Sequence, residues 1–273
     1  MPDNGLFTDR CAGGSKIFEL VKWYMDVVAD DGSALFAYSA RVRWGAVRVS
    51  VGSLCHLSAA GVVSEEHTLR PGRSPQFEDG RLAWSCGHLG LSGEWVATSA
   101  PIQRTLFDDE RGAIEWHCLA PRASAKVRVG DVALRGHGYV ERLRITRPPA
   151  ELPFQRLSWG RHLSEQHALV WIDWHDDAAN RWIFLDGVEQ VHARLTPHRI
   201  DGLDGGRSLR RGDSFDVIER PALSSIARFA PQLAHRVAGP LATMREHKRV
   251  ASSRLFQGIR VVDDGWSLYE ELA

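Results

Sequence analysis

The stretch from Leu134 to Ile145, LRGHGYVERLRI, most constrains what this chain can fold into. If the stretch is a strand, its alternation places Tyr139, Glu141, Leu143 and Ile145 on one face. The opposite face is largely polar and consists of Val140, Arg142, Arg144 and Thr146. The first face is apolar apart from one carboxylate and one phenol. Glu141 is therefore predicted to point into the protein.

A carboxylate on an inward face is costly unless it is paired, hydrogen-bonded or kept neutral by a raised pKa. One interpretation is that Glu141 donates or accepts a proton inside an apolar pocket. The alternative is that Glu141 pairs with an inward arginine such as Arg161, or that the two faces are reversed. The pattern alone leaves both open.

Length and charge narrow the classes of protein to consider. A chain of 273 residues can form one large β domain or two domains of ordinary size. Lys plus Arg equal Asp plus Glu, at 34 each, so no net field attracts nucleic acid, and no nucleic-acid partner is expected. The four cysteines are far apart and form no CxxC pair, which argues against a zinc knuckle or a thioredoxin-like motif.

The N-terminal residues MPDNGLFTDRCAGG lack the basic and apolar regions of a secretion signal. No apolar run approaches the roughly 20 residues that a membrane span requires. A cytoplasmic location with reduced thiols is therefore the expectation.

The chain is organised as short β-like runs separated by turns. Lys16 to Ala29 and Ser33 to Val51 flank an Asp-Gly step, which is the strongest short hairpin signal in a single sequence. A helical period is found only near residues 222–240. Pro148, Pro149 and Pro153 interrupt the pattern and predict a boundary between two domains, 1–147 and 148–273. The sequence thus predicts an all-β architecture with a late helical insertion.

Three separated segments resemble one family of proteins. KWYMDVVADDG resembles the Trp-Trp-Tyr, acidic and Asp-Asp-Gly segment of lipocalin-like proteins in the carotenoid 1,2-hydratase (hydroxyneurosporene synthase) and AttH group. GAIEWHCLAPRASAKV is similar to the Gly-x-x-x-Trp strand of that group, and GHGYVE to its Gly-x-Gly-Tyr segment, in which an acidic residue follows two positions after the tyrosine. The resemblance covers roughly residues 16 to 186.

The resemblance implies two lipocalin-like (calycin) β-barrel or half-barrel halves with an apolar cavity near their junction. It also implies enzymes that act on lipophilic alkenes or polyenes, such as hydratases and cyclases, although the group includes proteins without known activity. The tyrosine of the hydratases is followed by a His-Asp-x-Asn pattern, whereas Tyr139 is followed by Val140, Glu141, Arg142 and Leu143. This departure argues against carotenoid hydration itself and leaves acid or base chemistry open.

A second carboxylate, Asp173, lies in the apolar segment ALVWIDW. Alternation places Asp173 and Trp171 on one face, opposite Val170, Ile172 and Trp174. If Asp173 and Glu141 face one cavity, repulsion and burial raise at least one pKa and leave a neutral acid beside a charged base. The alternative is that Asp173 ends a strand before the His-Asp-Asp turn.

Aromatic and polar side chains from other runs are predicted to complete the pocket. A few polar groups in an apolar pocket suit a lipophilic ligand, and aromatic faces stabilise a developing carbocation. The predicted catalytic residues are Glu141, Asp173 and Tyr139. The predicted ligand-binding residues are Trp23, Tyr24, Asp26, Trp116, His137, Trp159 and Trp171. Core packing is the alternative for each aromatic residue.

Sequence motifs for cofactors and metals are missing. The chain has no HxxH or HExxH spacing and no Gly-x-Ser-x-Gly elbow. Gly136-His137-Gly138 precedes a strand rather than a helix, which argues against dinucleotide binding. No cofactor and no metal are therefore expected. The basic run Arg245 to Arg254 could touch an anionic membrane, with a solvated face as the alternative.

Two functional hypotheses follow. The first is a cofactor-independent enzyme that binds a lipophilic, unsaturated small molecule and transfers protons through Glu141, as a hydratase, lyase, isomerase or cyclase does. The second is a non-catalytic binding protein for a hydrophobic ligand, in which Glu141 is an internal salt-bridge partner. The sequence does not indicate an oligomeric state.

Overall fold

The computed structural model describes residues 18–175, 180–222, 224 and 243–273, which form two antiparallel β-sheets. The strands of the first sheet are β1 (Phe18–Val28), β2 (Ala34–Trp44), β3 (Val47–Leu57), β4 (Val63–Thr68), β5 (Gln76–Glu78), β6 (Arg81–Cys86), β7 (Leu91–Ala97), β8 (Ile102–Asp109), β9 (Gly112–Val129) and β10 (Val132–Ile145). The strands of the second sheet are β11 (Leu157–Ser164), β12 (Ala168–Asp173), β13 (Arg181–Leu185), β14 (Val188–Glu189), β15 (Arg194–Thr196), β16 (Arg199–Leu203), β17 (Arg207–Pro221), β18 (Arg245–Gln257) and β19 (Arg260–Leu272). Short 3-10 turns lie at Gly87–Leu89, Pro149–Glu151 and Asp204–Gly206.

The two sheets have equivalent strand orders. The first has the order β4-β3-β2-β1-β10-β9-β7-β6-β5, with β8 paired to β9, and the second has the order β14-β13-β12-β11-β19-β18-β17-β16-β15. In each sheet the strand that comes first in sequence pairs with the one that comes last: β1 with β10, and β11 with β19. The fold therefore contains a structural repeat, and the prediction of an all-β, lipocalin-like architecture is confirmed.

The hairpin predicted at the Asp-Gly step joins β1 to β2. Gly32 adopts a φ of 81° there, which suits glycine. The sequence predicted one β-like run from Ser33 to Val51, whereas the structure has two strands there, β2 and β3. Gly45, with a φ of 59°, forms the tight turn between these strands.

Three apolar cores organise the molecule. One lies within the first sheet around Met25, Leu35 and Trp95, and another lies within the second sheet around Trp171 and Leu209. The third core contains residues of both sheets and joins them. Since successive residues of a strand point to opposite faces, the central strands supply one face to their own sheet's core and the other to this shared core.

The chain passes from one sheet to the other between Ile145 and Leu157, the segment that contains the three prolines. The predicted helical segment near 222–240 lies, apart from residues 222 and 224, outside the described residues.

Candidate functional site

A small cavity lies in the shared core, between the two sheets. Its volume is about 100 Å³. From the first sheet, Tyr24, Trp116 and Glu141 line the cavity, and from the second sheet Trp159 and Ile172 do so. The site therefore depends on both halves of the chain.

Glu141 lies on the cavity-facing side of β10, as the alternation predicted, although β10 has a bulge beside it. Its carboxyl group is almost fully buried, with 7% of the residue exposed. The indole N–H of Trp116 donates to Oε2 at 2.6 Å, the hydroxyl of Tyr139 donates at 2.7 Å, and the indole N–H of Trp159 donates at 3.2 Å. All three donors act on one oxygen atom. Oε1 receives no hydrogen bond from any residue that the structure describes.

The electrostatics of Glu141 raise its pKa and so shift the carboxyl group toward its protonated form. Burial raises the pKa of this group, and the Trp116, Tyr139 and Trp159 hydrogen bonds together with the charge of Lys22 only partly oppose it. Burial also raises the pKa of Tyr139 well above its usual value, so this phenol remains a donor. A proton on Oε1 leaves Oε2 free to accept all three hydrogen bonds. After that proton leaves, the same three donors stabilise the carboxylate.

Arg161 does not pair with Glu141. Its guanidinium binds both carboxylate oxygens of Asp26, with Nε 3.0 Å from Oδ2, and both residues are fully buried. The Tyr24 hydroxyl also donates to Oδ2 of Asp26, at 2.8 Å. The sequence interpretation that gave Arg161 to Glu141 is thus wrong, because the arginine is taken by another carboxylate. Glu141 forms no ion pair within the described part of the chain.

Lys22 and Glu270 are the charged residues that line the cavity together with Glu141. Lys22 lies two residues before Tyr24 on β1, and its Nζ atom is 4.8 Å from the centre of the Tyr38 ring. Glu270 forms an ion pair with the buried Lys248, in which Nζ lies 2.8 Å from Oε2. Sequence analysis missed both residues. The period-two spacing from Tyr24 could have identified Lys22, whereas nothing in the sequence links Glu270 to this cavity.

Asp173 and Trp171 do not line the cavity. Asp173 lies 3.0 Å from the Arg181 guanidinium and accepts the His175 backbone N–H, so it ends β12 before the turn. Trp171 packs in the core of the second sheet. The predicted shared cavity for Asp173 and Glu141 is therefore wrong, since alternation along β12 turns Ile172 toward the cavity instead.

Trp23 and His137 also lie away from the cavity. Trp23 belongs to the core of the first sheet, on the opposite face of β1 from Tyr24. His137 is half-buried, and burial lowers its pKa. Among the predicted ligand-binding residues, the structure brings Tyr24, Trp116 and Trp159 to the cavity, and Asp26 lies behind Tyr24.

The glycines of the GHGYVE motif allow β10 to approach its neighbours closely. A Cβ atom on Gly136 would lie 1.9 Å from the Val28 carbonyl oxygen, and one on Gly138 would lie 2.7 Å from the Trp95 ring. Neither position can accept a side chain without movement of the backbone or of a buried indole. The motif thus fixes the strand that carries Tyr139 and Glu141.

No group of three or more His, Cys, Asp or Glu side chains that could hold a metal ion occurs among the residues described. Within the same residues, no helix combines the length and apolar character needed to cross a bilayer.

The sequence matches no protein-family model, and it matches no curated protein. Solved structures share its fold. An AttH-like protein from Nitrosomonas europaea superposes with a TM-score of 0.58 at 12% identity, over 100% of this chain and 98% of that chain. Kievitone hydratase from Nectria haematococca gives 0.54 at 9% identity, and CghA with Sch210972 gives 0.52 at 12%, each over 93% of this chain and 88% of the other. The resemblance seen in the sequence motifs is confirmed at the level of the fold, which is that of AttH and its lipocalin-like neighbours.

Proposed function

We propose that the protein is a cofactor-independent enzyme that binds a lipophilic, unsaturated small molecule between its two sheets and transfers a proton to it from Glu141. The reaction classes that fit are hydration, elimination, isomerisation and cyclisation. The observation that carries this proposal is the buried Glu141 carboxyl group, which has three donors on Oε2 and, among the residues that the structure describes, none on Oε1. The fold shared with a hydratase supports it.

Glu141 acts in the proposed mechanism as a general acid. The O–H bond at Oε1 breaks while a new C–H bond forms on the unsaturated carbon, and positive charge develops on the adjacent carbon. The aromatic side chains of Tyr24, Trp116 and Trp159 line the same cavity, and in the proposed mechanism their π electrons stabilise the cation. Trp116, Tyr139 and Trp159 stabilise the carboxylate left behind. The cation, either directly or after a ring has closed on it, then loses a C–H proton to the Glu141 carboxylate. When water adds to the cation instead, the proton that returns to Glu141 comes from that water.

The size of the cavity limits how a substrate binds. Pockets for small ligands typically have volumes of roughly 300–1,000 Å³, whereas this cavity has about 100 Å³. We therefore propose that the unsaturated end of the substrate enters the cavity, while the rest of the molecule lies toward Lys22 and Glu270. A carbonyl, phenol or similar polar group on the substrate would suit Lys22, which has no carboxylate partner among the described residues.

The test compares Glu141→Gln with the wild-type protein. Native mass spectrometry and organic extraction of protein purified from its own host identify the bound molecule, which then serves as the substrate. The amide keeps an oxygen for the three donors but cannot give up a proton as an acid. We expect the variant to fold and to bind ligand, with kcat reduced by about a hundredfold or more.

Glu115→Gln is the matched control. Glu115 lies on β9 beside Trp116, but it faces Arg144 on the other side of the sheet. The same chemical change there should leave turnover intact. Equal turnover by Glu141→Gln and wild type would contradict the proposal. A ligand that both proteins bind and neither converts would favour the non-catalytic binding protein.

A further inference from the structure

An open groove of about 620 Å³ lies on the first sheet, and none of the residues that line it also lines the cavity of Glu141. Strands β6, β7, β9 and β10 form its floor, and the segment that contains Arg73 and Ser74 forms one wall. Its volume lies within the range of small-ligand sites, roughly 300–1,000 Å³. The proposed function does not use this groove.

The register of the sheet concentrates cations in the groove. Lys126 on β9 lies opposite Arg135 on β10, and Arg128 follows two residues after Lys126 on the same exposed face. Arg73 adds a fourth positive charge from the wall. Since the whole chain has equal numbers of acidic and basic residues, this concentration is a local feature.

These four cations lack anionic partners. None of Arg73, Lys126, Arg128 and Arg135 forms an ion pair within residues 18–175, 180–222, 224 and 243–273. Glu94, the acidic residue among those that line the groove, lies opposite Lys126 on β9, and its carboxylate is 2.9 Å from the guanidinium of Arg81. The groove therefore carries a net positive charge that its own residues do not neutralise.

Hydroxyl groups lie among the cations. Ser74, Ser85 and Ser92 line the groove, and Ser92 lies directly opposite Arg128 across β7 and β9. Guanidinium groups bind phosphate oxygens in pairs through their planar fork of N–H donors, and serine hydroxyls donate to the remaining oxygens. Three arginines, one lysine and several hydroxyls around a concave floor match a ligand with more than one negative charge.

We propose that this groove is a second binding site, which takes a small anion carrying phosphate groups, either as a free molecule or as a lipid headgroup. The site is independent of the proton-transfer chemistry, because none of its residues lines the cavity of Glu141. The two sites share β9 and β10, which carry Lys126 and Arg135 at one end and Trp116 and Glu141 at the other.

The test measures binding of inorganic tripolyphosphate by titration calorimetry, at low and at physiological ionic strength. A parallel measurement uses sedimentation with vesicles of phosphatidylcholine that contain phosphatidylglycerol. The test variant is Arg128→Ala with Arg135→Ala, and the matched control is Arg194→Ala with Arg260→Ala. Both control arginines are exposed on the second sheet, and their replacement removes the same two positive charges as the test variant.

We expect affinity for tripolyphosphate to fall by about tenfold or more in the test variant and to stay unchanged in the control. Added salt should weaken binding by wild type. Binding to vesicles alone, lost in the test variant only, would support the groove and identify the headgroup as the source of the phosphate. Binding of neither probe by wild type, or an equal loss in both variants, would overturn the proposal.

Discussion

The indole N–H of Trp159 in the second sheet donates to Oε2 of Glu141 in the first sheet at 3.2 Å. This hydrogen bond connects the acidic group directly to the other half of the protein. The acidity of Glu141 therefore depends on how the two sheets are packed, because each donor on Oε2 lowers the pKa that burial has raised.

Replacement of Trp159 by Phe should shift the pH dependence of turnover. The variant keeps an aromatic ring and loses the donor, so the carboxylate formed after proton transfer is less stable. We expect the alkaline limb of the kcat profile to move to higher pH, and the rate at neutral pH to fall on the order of tenfold. The measurement is kcat against pH on the identified substrate.

Trp171→Phe is the control for that variant. Trp171 is fully buried, and its indole N–H has no hydrogen-bond partner among the described residues. The change in ring volume is the same, whereas no donor to Glu141 is lost. A shift of the alkaline limb in both variants would mean that altered packing, rather than the Trp159 hydrogen bond, controls the pKa.

The sequence predicted the orientation of Glu141 but not its surroundings. Period-two alternation determines the face of a strand, and the β10 bulge next to Glu141 did not reverse it. The pairing of Asp26 with Arg161 was not predictable, since it joins β1 to β11 across 135 positions in the chain. Patterning within a single strand contains no information about such a contact.

Asp173 shows a second limit of the sequence pattern. An acidic residue in an apolar strand is typical of a catalytic carboxylate, and it is equally typical of a residue that ends a strand. In the structure Asp173 pairs with Arg181 on the neighbouring strand β13, so it is the residue that ends a strand. The face of β12 that meets the shared core was also hidden, because both of its faces are apolar and buried.

Glu141→Gln should change how stability depends on pH. The folded protein raises the pKa of Glu141 above its ordinary value of 4.5. Between these two pKa values the native state binds more protons than the unfolded state, so the free energy of unfolding falls as pH rises. The glutamine variant has no carboxyl group at this position, so its free energy of unfolding does not fall with pH for this reason. We expect it to gain stability relative to wild type as the pH is raised through and above the ordinary value of 4.5.

Urea unfolding at a series of pH values measures this difference, with Glu115→Gln as the control. A constant gap between Glu141→Gln and wild type across the series would show that the carboxyl group has the same pKa in both states. That result would also remove the basis for a neutral acid at the site.

Loss of either partner of the Asp26–Arg161 pair should strongly destabilise the protein. Both residues are fully buried, and the pair joins the two sheets. Asp26→Asn leaves the guanidinium without a counter-charge, which costs about 3–5 kcal/mol of the free energy of unfolding. Glu219→Gln, which breaks the exposed 3.2 Å pair with Arg245, should cost less than about 1 kcal/mol.

A double replacement, Asp26→Leu with Arg161→Met, distinguishes a lost interaction from an unpaired charge. Since apolar residues of similar volume often replace a buried ion pair at little cost, the double variant should recover most of the stability lost in Asp26→Asn. Urea denaturation measures all of these variants. If the double variant is as unstable as Asp26→Asn, the pair itself stabilises the fold.

The acid stability of the protein should depend on Glu246, near the start of β18 in the second sheet. Burial alone would raise the pKa of this carboxyl group, but Lys248 and Arg220 outweigh burial and hold the pKa at about 2, against an ordinary value of 4.5. The resulting stabilisation is complete above the ordinary value and is lost as the pH falls toward about 2. Glu246→Gln should therefore unfold at a lower urea concentration than wild type at neutral pH, and this difference in urea midpoint should narrow steadily below about pH 4.

Glu78→Gln, at an exposed position on β5, is the control and should differ little from wild type in urea midpoint at every pH. A gap for Glu246→Gln that stays the same from neutral to acid pH would mean that its hydrogen-bond geometry, rather than its charge between Lys248 and Arg220, stabilises this part of the fold.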